Sequence, residues 1–203
     1  MKVWVEGYPV SIIQLSENDL QDLQAHYLPE CLAVDALDKI SDDEASFAKN
    51  KSQRWSKDKD LFIKWNDTIT PYIKNYIDAL NFRFPWKMRI DTWFNVHGKY
   101  DFQHIHNHVT TDCPAFSCVV ILKQPNEDAG QFCFHSPNFS THLKYLELDP
   151  LNAYPNAFMP EMRDGAMIIF PSCLEHYVTQ NLTDEYRVVF ASNIMVKRTN
   201  SLF

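Results

Sequence analysis

Between about residues 58 and 80, apolar side chains return every three or four positions. They are Leu61, Phe62, Trp65, Ile69, Tyr72, Ile73, Tyr76, Ile77 and Leu80. That period predicts a helix with one buried face, and Pro71 is expected to kink it or to begin a second segment. An earlier helix is expected from Ser16, where Glu17 and Asp19 follow a capping residue, with Leu20, Leu23 and Tyr27 on its apolar side. Residues 1–15 alternate instead, through Val3-Trp4-Val5 and Val10 to Leu15 around Pro9, and predict a first strand. The polar segment 38–58 sets Lys49, Lys51, Arg54 and Lys57 against Asp38, Asp42, Asp43 and Glu44. It reads as a surface excursion, or as a cover over an active site; its composition favours the former.

After Pro85 the pattern changes. Short β-branched and aromatic runs occupy Met88–His97, Ala115–Lys123, Gly130–His135, Ala166–Pro171 and Tyr186–Val196. Turn residues separate them, as in Gly98-Lys99, Pro125-Asn126-Glu127-Asp128 and Asp164-Gly165. Several strands in succession without an intervening helical period predict a jelly-roll or similar antiparallel double sheet. The expectation is therefore an α+β chain forming one domain over 1–203. Residues 1–85 would be mainly helical with a short first strand, and 86–203 the β core. The length suits one core, and no linker or internal repeat divides the chain.

Charge narrows the function. The formal net charge is -7, and no Lys/Arg run is interleaved with aromatics, so nucleic acid is disfavoured as a partner. Five cysteines form no C-x-x-C pair, which argues against a zinc ribbon or a disulfide framework. With no apolar stretch near 18 residues, the expectation is a reduced, soluble, cytoplasmic protein without a membrane partner.

The candidate chemistry lies in DFQHIHNH, which sets His104, His106 and His108 two apart. On a strand that spacing puts side chains on one face, about 6–7 Å apart, close enough for two imidazoles to share a metal. His106 with His108, His104 with His106, or one histidine with a carboxylate such as Asp101 or Asp112 would each serve; a surface histidine patch is the bland reading. A third ligand should come from another strand, and His176 in IIFPSCLEHYV is the candidate. Eleven positions later, Arg187 heads the apolar strand YRVVF. An arginine there costs several kcal/mol unless it meets an anion, and Asp184 or Glu185 could be that partner.

These motifs run in the order WFNVxGxYDFQ, HxH, GQFxFxxP, DGAMIIFPSxxxHxVxxN and RVVFxSN. In that order the chain resembles the 2-oxoglutarate- and Fe(II)-dependent oxygenases of bacterial and phage type, relatives of the prolyl-hydroxylase branch. The resemblance covers about residues 88–196. It implies a double-stranded β-helix, also called jelly-roll or cupin-like, with N-terminal helices packed against it. It places Fe(II) on His106, His108 and His176, the distal carboxylate of the cosubstrate 2-oxoglutarate on Arg187, and Asn95 at a pocket-facing position of unassigned role. The implied activity is a dioxygenase that hydroxylates a substrate and releases succinate and CO2. Trp93, Phe102 and Phe170 are expected to keep the site dry.

Two features depart from the wider superfamily, whose first pair is usually H-x-D or H-x-E. A third imidazole in place of a carboxylate leaves the metal centre one unit more positive, which should favour an anionic chelate. In SCVVILKQP, where relatives carry tyrosines, Val119, Val120 and Ile121 cannot donate hydrogen bonds, so any such contact is absent or comes from another side chain. A cupin-like metalloenzyme (isomerase or dioxygenase) that does not use 2-oxoglutarate is the alternative, and a non-catalytic jelly-roll binding module a more distant one. The substrate, small-molecule or peptidyl, and the oligomeric state are not readable from the chain.

Overall fold

The computed structural model describes residues 2–5, 8–33, 48–49, 51–53, 62–110, 113–135, 157–158 and 160–200. Most of the polar segment 38–58, including Arg54 and Lys57, lies outside the described residues.

The chain begins with β1 (Lys2–Val5) and β2 (Tyr8–Gln14), followed by helix α1 (Glu17–Ala33). Two short strands, β3 (Ala48–Lys49) and β4 (Lys51–Gln53), precede helix α2 (Ile63–Asp78). Then come β5 (Trp86–His97), β6 (Phe102–His106), β7 (Phe116–Lys123), β8 (Phe132–His135) and β9 (Ala157–Phe158). The last three strands are β10 (Ala166–Pro171), β11 (His176–Val178) and β12 (Arg187–Arg198).

The strands form two antiparallel sheets. A seven-stranded sheet has the order β1-β2-β10-β7-β12-β5-β4, and a five-stranded sheet the order β3-β6-β11-β8-β9. This is the expected double-stranded β-helix with helices. One detail differs. Among the described residues, those before 86 supply four strands rather than one, and these extend both sheets.

Alternation along the central strands explains the layering. On β12, Val188, Phe190 and Ile194 belong to the core beneath the helices, whereas Val189 and Ala191 belong to the core between the sheets. Successive strand residues point to opposite faces, so one apolar strand serves both cores.

On the helix side, α2 buries Trp65, Ile69, Ile73, Tyr76 and Ile77, and Trp65 stacks on Phe190 with ring centroids 4.1 Å apart. Burying one such large side chain stabilises the fold by about 1.5–3 kcal/mol. Pro71 lies inside α2 without ending it, so it does not begin a second segment. Its ring removes one N–H, but the buried residues on either side hold both halves of the helix against the same sheet.

Helix α1 starts as expected. Ser16 Oγ accepts the Asp19 N–H at 3.1 Å, and the Tyr72 hydroxyl donates to Asp19 Oδ2 at 2.6 Å, tying the two helices together. No helix among the described residues is long and apolar enough to cross a membrane.

Candidate metal and cosubstrate site

Strands β6 and β11 pair antiparallel with His176 opposite His106, which brings the two imidazoles together across the smaller sheet. Their ring centroids are 4.2 Å apart. His108 lies just past the end of β6, where its backbone N–H donates to the Ser172 carbonyl at 2.9 Å. This turn brings its Nε2 to 3.2 Å from His176 Nε2. One nitrogen from each of His106, His108 and His176 lies within 4.8 Å of the others.

The ring orientations suit a shared cation. His176 Nδ1 lies 3.0 Å from the Leu174 carbonyl and His106 Nδ1 lies 2.8 Å from the His104 carbonyl. An N–H at each Nδ1 donates to these carbonyls, so each Nε2 carries its lone pair, the form in which an imidazole ligates a metal. Two ligands about 2.1 Å from one metal, roughly at right angles, stand about 3 Å apart, close to the spacing of His108 and His176. Burial, then the neighbouring His106 and His108, holds the His176 imidazole well below its ordinary pKa, so it stays neutral, as a ligand must.

His104 is not part of the group, although it too lies two positions from His106. Between His176/Val178 on β11 and His106/Gln103 on β6 the register shifts. The extra residue in β6 is a bulge, which reverses the in–out alternation. Gln103 and His106 both line the inner pocket, while His104 is exposed against Phe102. Phe102 is correspondingly a correction to the expected dry wall. Phe132 takes that place, its ring 5.2 Å from His176, with Phe170 at 5.0 Å and Trp93 5.8 Å from His108. Asp101 Oδ2 accepts the Gly98 N–H at 2.8 Å in the β5–β6 turn and is not among the clustered groups; Asp112 lies outside the described residues.

Arg187 opens β12 with its side chain in the same pocket as the histidines. It is 0% exposed, and neither acidic neighbour pairs with it: Asp184 binds Lys99 at 2.8 Å and Glu185 binds Lys123 at 3.1 Å. Its Nε donates to Gln124 Oε1 at 2.8 Å. Nη1 and Nη2 have no hydrogen-bond partner among the described residues. Burial pulls the guanidinium down to about 10, so it still carries its charge at neutral pH. A buried, charged, two-pronged donor edge facing a pocket fits a carboxylate.

Asn95 also lines the pocket, as do Val119 and Val189, while Val120 faces the helices. Sequence reasoning missed Gln124, which lies just past the end of β7 and carried no motif. It also missed Gln103, whose amide nitrogen is 3.3 Å from His106 Nε2. The Q of DFQ was the available signal, hidden by the bulge.

Residues 91–193 match the sequence pattern of the 2OG-Fe(II) oxygenase family, half of the chain and all of the site. The chain belongs to that family. This oxygenase is accordingly a dioxygenase that uses Fe(II) and 2-oxoglutarate. No curated protein sequence matches it.

Solved structures share its fold. A Pseudomonas putida prolyl-4-hydroxylase is 13% identical with a TM-score of 0.64, the alignment covering 92% of this chain and 91% of that one. A prolyl hydroxylase from Trichoplax adhaerens, in complex with a hypoxia inducible factor oxygen degradation domain peptide fragment, is 10% identical with a TM-score of 0.62, covering 92% and 83%. HygX from Streptomyces hygroscopicus, solved with nickel and 2-oxoglutarate bound, is 12% identical with a TM-score of 0.58, covering 94% and 83%.

Proposed function

We propose that this oxygenase hydroxylates a substrate C–H bond, with His106, His108 and His176 holding Fe(II), Arg187 gripping the distal carboxylate of 2-oxoglutarate, and Asn95 lining the cosubstrate pocket. The observation that carries the reading is the pairing of three converging imidazole nitrogens with a buried guanidinium whose Nη1 and Nη2 lack partners. When bound, the metal and cosubstrate couple loss of CO2 from 2-oxoglutarate, giving succinate, to oxidation of the substrate by dioxygen.

The chain's own residues do the rest. Two backbone carbonyls fix the His106 and His176 tautomers, so the ligand set is built before the metal arrives. The Gln124 contact leaves the outer edge of the Arg187 guanidinium free to meet a carboxylate with a bidentate fork that lysine could not reproduce. Trp93, Phe132 and Val119 line the pocket with apolar surface and exclude water, which strengthens every charge interaction inside.

The substrate is a small molecule or a peptidyl side chain. The formal net charge of -7 disfavours nucleic acid, and the five cysteines, with no disulfide among the described residues, agree with a reducing cytoplasmic setting.

The test uses protein loaded with Fe(II) in the absence of air. Added 2-oxoglutarate should produce a metal-to-ligand absorption band, and admission of air should then yield succinate. Iron binding without either response would return the chain to the cupin-like alternative.

A further inference from the structure

His97 closes β5 directly opposite Arg187, its Cα partner across the β5–β12 ladder. Paired residues in an antiparallel ladder project to the same face, with Cβ atoms about 4.5–5.5 Å apart. Asn95 and Trp93, two and four positions back along β5, line the pocket, so the imidazole lies on the pocket side of the strand. It is 1% exposed. Neither Nδ1 nor Nε2 has a hydrogen-bond partner among the described residues.

A neutral imidazole always carries one N–H and one lone pair, and leaving such a donor buried and unpaired costs about 1–3 kcal/mol. Burial first, and the Arg187 charge second, hold His97 well below its ordinary pKa. The ring is therefore a neutral donor beside a cation that also has donors to spare. Two donor groups on one face, both without acceptors, call for one acceptor-rich anion between them. No side chain of the pocket meets these donors, and Val119 and Val189, which line it, are buried and apolar.

We propose that His97 is a second anchor for the distal carboxylate of 2-oxoglutarate, donating its imidazole N–H to the oxygens that Arg187 grips. This rests on the cosubstrate reading above and adds a residue to it. His97 thereby gives this chain the neutral hydrogen-bond donor that its apolar β7 segment lacks.

The test compares 2-oxoglutarate with 2-oxopentanoate, which has the same carbon chain but a methyl group in place of the distal carboxylate. Binding to the Fe(II)-loaded protein is measured by calorimetry without air. His97→Leu should weaken 2-oxoglutarate by about 10- to 100-fold, the loss of one hydrogen bond to a charged group, and leave 2-oxopentanoate unchanged. His97→Gln, which keeps an N–H donor, should recover most of the difference.

In Zn(II)-loaded wild-type protein, the His97 imidazole N–H resonance should shift on adding 2-oxoglutarate and not on adding 2-oxopentanoate. That measurement decides the matter even if the leucine variant does not fold. Equal weakening of both ligands, unaltered 2-oxoglutarate binding, or an unmoved resonance would overturn the role of His97. Wild-type protein that bound neither 2-oxo acid would instead overturn the cosubstrate reading on which it stands.

Discussion

Replacing Arg187 with methionine should make the cosubstrate-free protein more stable while removing its grip on 2-oxoglutarate. The guanidinium is fully buried, and its displacement from the ordinary arginine range down to about 10, at about 1.4 kcal/mol per pH unit, corresponds to about 3 kcal/mol spent on keeping a charge out of water. Methionine of similar length removes that term. It also strands Gln124 Oε1, whose lost hydrogen bond costs about 0.5–1.5 kcal/mol. The net gain should be about 1.5–2.5 kcal/mol, raising the melting temperature of the metal-loaded protein by roughly 3–10 °C for a chain of this size.

Binding changes in the opposite direction. Two charge-assisted hydrogen bonds from Nη1 and Nη2, each worth about 1.5–3 kcal/mol, disappear, so 2-oxoglutarate affinity should fall by about 10²- to 10⁴-fold. Metal binding should persist, because Arg187 is not among the clustered metal-ligand groups. Differential scanning calorimetry with and without 2-oxoglutarate reads both effects. In wild type, ligand at 100 times its dissociation constant adds about 2.7 kcal/mol; in the variant that increment should vanish at the same concentration. A variant less stable than wild type without cosubstrate, yet still stabilised by it, would mean that Arg187 is a structural tie to Gln124 rather than a carboxylate anchor.

His104→Ala should retain stoichiometric Fe(II), whereas His108→Ala and His176→Ala should lose it by more than the roughly 10- to 100-fold typical of an outer partner; anaerobic iron analysis after desalting decides. His97 should also give the metal-free protein an acid-labile component. Its pKa in the folded chain lies well below 6.5, so below pH 6.5 the unfolded chain takes up a proton that the folded one does not. Stability is then lost by up to about 1.4 kcal/mol per pH unit as pH falls through that range, and nothing is lost above it. Urea midpoints at pH 7, 6 and 5 should fall more steeply for wild type than for His97→Leu; identical slopes would mean that the native imidazole protonates freely.

Local patterns were enough for much of this protein. The three-and-four spacing of α2, the Ser16 start of α1 and the apolar runs of β5, β7, β10 and β12 all follow from side-chain periodicity, which depends on neighbours a few positions away. His176 and Arg187 were also legible, since a lone polar group in an apolar strand calls for a partner wherever the strand lies. Other features depended on how distant strands meet. The bulge in β6 turned His104 outward and Gln103 inward, because register against β11 rather than spacing sets which face a residue joins. Pro71 did not break α2, because packing against Phe190 and its neighbours outweighed the missing N–H. Gln124 and His97 became visible only once β12 was laid beside β7 and β5, for a hydrogen bond and an unpaired nitrogen are properties of two chain segments, and neither segment records its partner.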